Sequence, residues 1–171
     1  MQTSPSQFCL RSLRILGIDP GSRITGFGIV DVNQGKYTYV TSGTVQSTEK
    51  DFCARLKTIF EGVRQIVQEQ RPMELAIEQV FLHKNVDSAL KLGQARGVAL
   101  CAAFTEGMSV TEYMPSQIKQ AVVGYGSATK EQVQHMVRVL LQLPTVPSQD
   151  AADALAVAIC HCHHANGRLR T

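Results

Sequence analysis

Twice in this chain an apolar run suited to a buried strand ends on a carboxylate, at Asp19 in ILGIDPGSRITGFG and at Glu78 in LAIEQVF. An unbroken apolar run of this length, closed by turn residues, reads as a central strand covered on both faces. Residues 14–19 break at Pro20-Gly21, as such a strand would. Residues 25–32 follow, and Asn33 with Gly35 turns the chain into residues 37–45. The first third of the sequence therefore reads as an antiparallel meander of three strands.

From there the pattern changes period. Phe52, Leu56, Ile59, Val63, Ile66 and Val67 recur at spacings of three and four, one face of an amphipathic helix that runs to Arg71-Pro72. Residues 73–78 make a fourth strand, and a second helix is predicted over about 87–106, with Gly93 and Gly97 permitting close approach of another backbone. Residues 109–113 form a short fifth strand closed by Pro115. Three helical segments complete the chain: about 116–123, then Thr129 (a capping box with Gln132) to near Pro144, then Ser148 as cap to about His164. A meander followed by alternating strands and helices predicts an α/β fold with a five-stranded mixed sheet flanked by helices.

Composition adds bounds. Of 171 residues, 44% are hydrophobic and 18% charged, which excludes a disordered chain and suits one domain. The net charge of +3 permits a nucleic-acid partner without arguing for one. Five cysteines, Cys9, Cys53, Cys101, Cys160 and Cys162, show no disulfide-scaffold spacing, and the expected setting is the reducing cytoplasm. No stretch approaches the ~20 apolar residues of a membrane span, so no membrane partner is expected. Residues 1–13 read as a flexible N-terminal extension, 14–165 as the domain and 166–171 as a tail.

Asp150 and Asp153 lie one helical turn apart in PSQDAADALA and join Asp19 and Glu78 as candidates. Each has an ordinary reading: an Asp before Pro-Gly forms turns, and acids near a helix start favour its dipole. Taken together they ask for a cation. Two carboxylates ~5 Å apart repel by roughly 3 kcal/mol at an effective dielectric near 20. A hard divalent ion with oxygen ligands turns that repulsion into binding, which points to metal-dependent chemistry on phosphate. GYGSATK, residues 124–130, lacks full phosphate-loop spacing and reads as a connection that delivers Lys130 to a helix start. Lys119 and Lys130 are phosphate contacts or ordinary surface lysines, and Phe81 is core or a base-stacking aromatic. The run Cys160, His161, Cys162, His163, His164 could suggest zinc, but its ligands crowd one helix end with no second cluster, so a solvated helix end is expected.

With these residues in place the chain resembles RuvC-type Holliday-junction resolvases. The likeness spans about Arg14 to about His164 and is carried by ILGIDPGSR with ITGFG, AIEQVF, KNVDSALKLGQARG, IKQAVVGYGSATK, VQHMVR and DAADALAVAICHCH. It implies the ribonuclease-H-like fold. It implies metal-binding catalytic carboxylates at Asp19, Glu78 and Asp150, with Asp153 in a fourth position where some relatives carry histidine. Junction-contacting lysines fall on Lys119 and Lys130, and a base-contacting aromatic on Phe81. The implied activity is structure-selective endonuclease cleavage of DNA four-way junctions in recombination and repair. A homodimer makes paired symmetric nicks, each site using two Mg²⁺ (or Mn²⁺) and leaving 5′-phosphate and 3′-hydroxyl ends. The implied partner beyond DNA is the RuvA–RuvB branch-migration complex.

Two further readings share parts of this pattern. IDPGSRITGFG also resembles the first phosphate-binding hairpin of sugar kinases and actin-like ATPases, which require a duplicated domain and a second hairpin. A junction-binding module without catalysis would be expected to have lost some of the four acids.

Overall fold

A computed structural model describes residues 12–80 and 85–168, with side chains through Ala165. Three strands, β1 (Leu13–Asp19), β2 (Ile24–Asn33) and β3 (Lys36–Gln46), form the antiparallel meander. The β2–β3 turn is made by Gln34 and Gly35, both at positive φ, rather than by Asn33 and Gly35. Two left-handed residues in succession match the twist of the flanking strands. Helix α1 (Phe52–Gln70) follows, then β4 (Glu74–Glu78), α2 (Val86–Phe104) and β5 (Ser109–Tyr113). The chain closes with α3 (Pro115–Val123), α4 (Lys130–Leu140) and α5 (Gln149–Arg168).

The sheet order is β3-β2-β1-β4-β5, with β4 parallel to β1 and β5 parallel to β4. This is the expected five-stranded mixed sheet flanked by helices. Strand β1 is central, and Ile15, Leu16 and Ile18 are fully buried. Its residues alternate between two cores. Ile15 joins Ala76, Tyr113 and the inner faces of α3, α4 and α5. Leu16 and Ile18 join Leu75, Ile77 and the inner faces of α1 and α2. By the same alternation Asp19 and Glu78 point toward the α5 side of the sheet.

Helix α5 lies directly on that side because glycines let it. A Cβ at Gly17 would fall 2.1 Å from the Ala154 carbonyl oxygen, and one at Gly26 would fall 2.1 Å from that of Asp150. Gly26 is the cross-strand partner of Asp19, so this close approach sets the start of α5 beside the acid. At Gly93 and Gly97 a Cβ meets nothing within 4 Å among the described residues, so neither glycine serves a contact within them. Helix α4 also ends earlier than expected, at Leu140 and not near Pro144. Gln142 turns left-handed and the Leu143 amide donates to the Arg138 carbonyl, which closes the helix before Pro144.

Candidate active site

The parallel register places Ile18 opposite Ile77, so the residues that follow, Asp19 and Glu78, leave adjacent strands at the same rim. Rims at the carboxyl ends of parallel strands are where open α/β sheets hold ligands. Asp19, Glu78 and Asp153 line one cleft of about 110 Å³ together with Lys119 from α3 and Lys130 from the start of α4. The Thr129 capping box forms as expected: the Thr129 hydroxyl accepts from the Gln132 amide, and the Gln132 side chain accepts from the Thr129 amide. It anchors the first turn that carries Lys130. The Lys130 Nζ lies 3.4 Å from Asp153 Oδ2.

The electrostatics follow from burial and crowding. Burial first, then the charges of Glu78 and Asp153, push the Asp19 carboxyl up to about 8, against the pull of Lys130. Glu78 is also raised, by burial and by Asp153, while a hydrogen bond with Asp19 and the two lysines oppose the shift. Asp153 is raised by burial and held back by Lys130. In the metal-free protein Asp19 therefore favours its protonated form near neutral pH. Asp150 adds its charge to Asp19 from the turn above without lining the cleft. Among the described residues no three His, Cys, Asp or Glu side chains close into a ready-made cage. The donor set itself is all carboxylate oxygen, the chemistry that suits a hard divalent cation and not a soft one.

The structure thus gathers Asp19, Glu78, Asp153, Lys119 and Lys130 and sets Asp150 at the edge. Phe81 lies outside the described residues. The expected solvated end at residues 160–164 is corrected. Cys160, His161 and Cys162 are buried, and only His163 and His164 are exposed. His161 is a spoke of the core: its Nε2 lies 2.5 Å from Glu74 Oε2, and its Nδ1 lies 2.8 Å from the Tyr113 hydroxyl. A signal for this was present. His161 follows Asp153 by eight residues and Val157 by four, so it shares their helix face.

The family model described as Crossover junction endodeoxyribonuclease RuvC matches residues 15–161. The chain belongs to the RuvC family. It is 58% identical over 156 residues to the Sodalis glossinidius crossover junction endodeoxyribonuclease RuvC, covering 91% of this chain and 90% of that one. It is 57% identical over 151 residues to the Dichelobacter nodosus protein of that name, covering 88% and 86%. The fold matches that of T. thermophilus RuvC solved in complex with a Holliday junction substrate. There the TM-score is 0.85 and the identity 36%, over 91% of this chain and 96% of that one. The yeast mitochondrial Holliday junction resolvase Ydc2 shares the fold at a TM-score of 0.65 and 11% identity. As a RuvC family member the protein is a crossover junction endodeoxyribonuclease, a hydrolase that resolves Holliday junctions. Among the described residues no helix is long and apolar enough to cross a membrane.

Proposed function

We propose that the cleft between β1, β4, α3, α4 and α5 is where the scissile phosphodiester is hydrolysed, with Asp19, Glu78, Asp150 and Asp153 as the catalytic acids. The observation that carries this reading is the pairing of Asp19 and Glu78 on adjacent strand ends, with proton affinities raised by burial and mutual repulsion. A fold does not keep such a cluster for stability. These acids would hold two divalent cations, Mg²⁺ or alternatively Mn²⁺, which when bound activate water and stabilise the charge of the leaving 3′ oxygen. Asp19 would hold a cation as the deprotonated carboxylate, with both oxygens as ligands. Lys119 and Lys130 donate from Nζ to the non-bridging phosphate oxygens and orient the phosphate for in-line attack. Phe81, three residues beyond Glu78, stacks on bases beside the scissile bond, a contact of ~1–3 kcal/mol.

The products are 5′-phosphate and 3′-hydroxyl ends, and residues 14–165 act as the nuclease domain. Two copies of this chain serve one four-way junction and nick two strands of like polarity, since a two-fold substrate suits a two-fold enzyme. The protein works in the cytoplasm, beside the RuvA–RuvB complex, in recombination and repair. The test is to incubate the protein with a synthetic four-way junction and with linear duplex, each with and without Mg²⁺. Paired nicks only in the junction, and only with Mg²⁺, are expected. Equal cutting of duplex, or cutting in a chelator, contradicts the reading.

A further inference from the structure

The same rim of the sheet carries a second cleft, two strands away from the carboxylates. Ile24 pairs with Gln46 there, just as Asp19 pairs with Gly26 nearer the centre. The loops beyond these residues are braced together. The Ser47 amide donates to the Arg23 carbonyl at 3.1 Å, and the fully buried Thr25 donates from its hydroxyl to the Gly21 carbonyl at 3.0 Å. Between them opens a cleft of about 240 Å³ lined by Arg23, Ser47, Thr48, Glu49, Lys50 and Arg55.

Its chemistry is that of an anion site. Three cations face one carboxylate. Asp51, the neighbouring acid, is engaged in capping α1, where its side chain accepts from the Ala54 amide. The Arg55 guanidinium carbon lies over the Phe52 ring, 5.2 Å from its centroid, a cation–π contact. Its Nε is buried and makes no hydrogen bond among the described residues. A guanidinium held beside an aromatic ring, with two exposed cations and two hydroxyls, suits the oxygens of a phosphodiester. Two strand spacings amount to roughly 10 Å. That is a reach of a few nucleotides along one backbone from the cluster at Asp19.

We propose that this cleft is a second phosphodiester subsite, which grips the backbone of the junction strand on its way to the cleavage site. The inference rests on the active-site reading above for its direction, and the test keeps the two apart. Junction binding is measured in EDTA against salt, where cleavage plays no part. Arg23 and Lys50 are both exposed, so Arg23→Gln and Lys50→Gln leave folding intact. Each is expected to weaken binding roughly five- to tenfold at 0.1 M salt and to lower the slope of log K against log salt by about 0.9. Glu49→Gln is expected to tighten binding severalfold. Lys57→Gln, an exposed lysine on α1 paired with Glu61, is the control for net charge and is expected to change neither. Affinity and slope equal to wild type in the first two variants, or losses no greater than in the control, would overturn the subsite. Failure of the active-site reading would appear elsewhere, as wild-type cleavage by Asp19→Asn, and would leave these binding curves untouched.

Discussion

Lys130 Nζ stands 3.4 Å from Asp153 Oδ2, and the two come from different helices, α4 and α5, that share one core. Lys130 is well exposed and Asp153 is not, so the pair is worth little as a bridge, ~0–1 kcal/mol. Its importance is electrostatic. Lys130 opposes the raised proton affinities of all three acids, Asp19, Glu78 and Asp153, and Lys119 joins it at Glu78 and Asp153. Lys130→Met should therefore change stability by less than about 1 kcal/mol. Its junction binding should weaken, with a salt slope lower by about 0.9. Titration of binding at several salt concentrations checks this, and an unchanged slope would return Lys130 to the ordinary surface.

The raised Asp19 carboxyl makes a pH prediction with a definite sign. In the folded protein it holds its proton up to about 8, against 3.8 for an ordinary Asp. Stability from this group is thus full below about pH 4 and is lost as pH rises through about 8. Glu78 and Asp153 shift in the same direction. Urea unfolding in EDTA should show the midpoint falling between pH 5 and pH 8.5, a loss on the order of a few kcal/mol. Asp19→Asn should flatten that fall, and Mg²⁺ should reverse it. A midpoint that rises over this range would contradict the buried-acid account.

Much of this arrangement was legible in the sequence for a physical reason. Strand ends that break at Pro20-Gly21 and a capping box at Thr129 and Gln132 are local signals, and local backbone geometry obeyed them. What depended on a distant partner was hidden. Gly17, Gly26 and Gly28 look like any strand glycines until α5 is laid across them. The helix end at Leu140 was hidden too, because Gln142, not a glycine, takes the left-handed turn. His161 reads as one of a polar cluster. Its partners Glu74 and Tyr113 lie 87 and 48 residues away in sequence.

That network yields its own prediction. Tyr113→Phe removes one partner of the His161 ring from a fully buried position. It should cost about 1–3 kcal/mol. Thermal unfolding should show the loss, and a melting temperature equal to wild type would mean that the contact contributes nothing.

The glycine contact can be tested in the same way. Gly26→Ala places a methyl where the Asp150 carbonyl oxygen now sits, so the start of α5 must lift from the sheet. Overpacking of this kind costs roughly 1–3 kcal/mol or more. Junction cleavage, measured well below the melting temperature, should fall at least tenfold because Asp150 and Asp153 move with the helix. Full cleavage by a folded variant would show that the position of α5 does not govern the site.

The most direct test of the central claim is Asp19→Asn, which keeps the side chain's size and removes the acid. Binding and single-turnover cleavage of a labelled four-way junction should be measured side by side in Mg²⁺. The account predicts junction affinity within a few-fold of wild type and cleavage reduced by at least a hundredfold. Cleavage at the wild-type rate would contradict it.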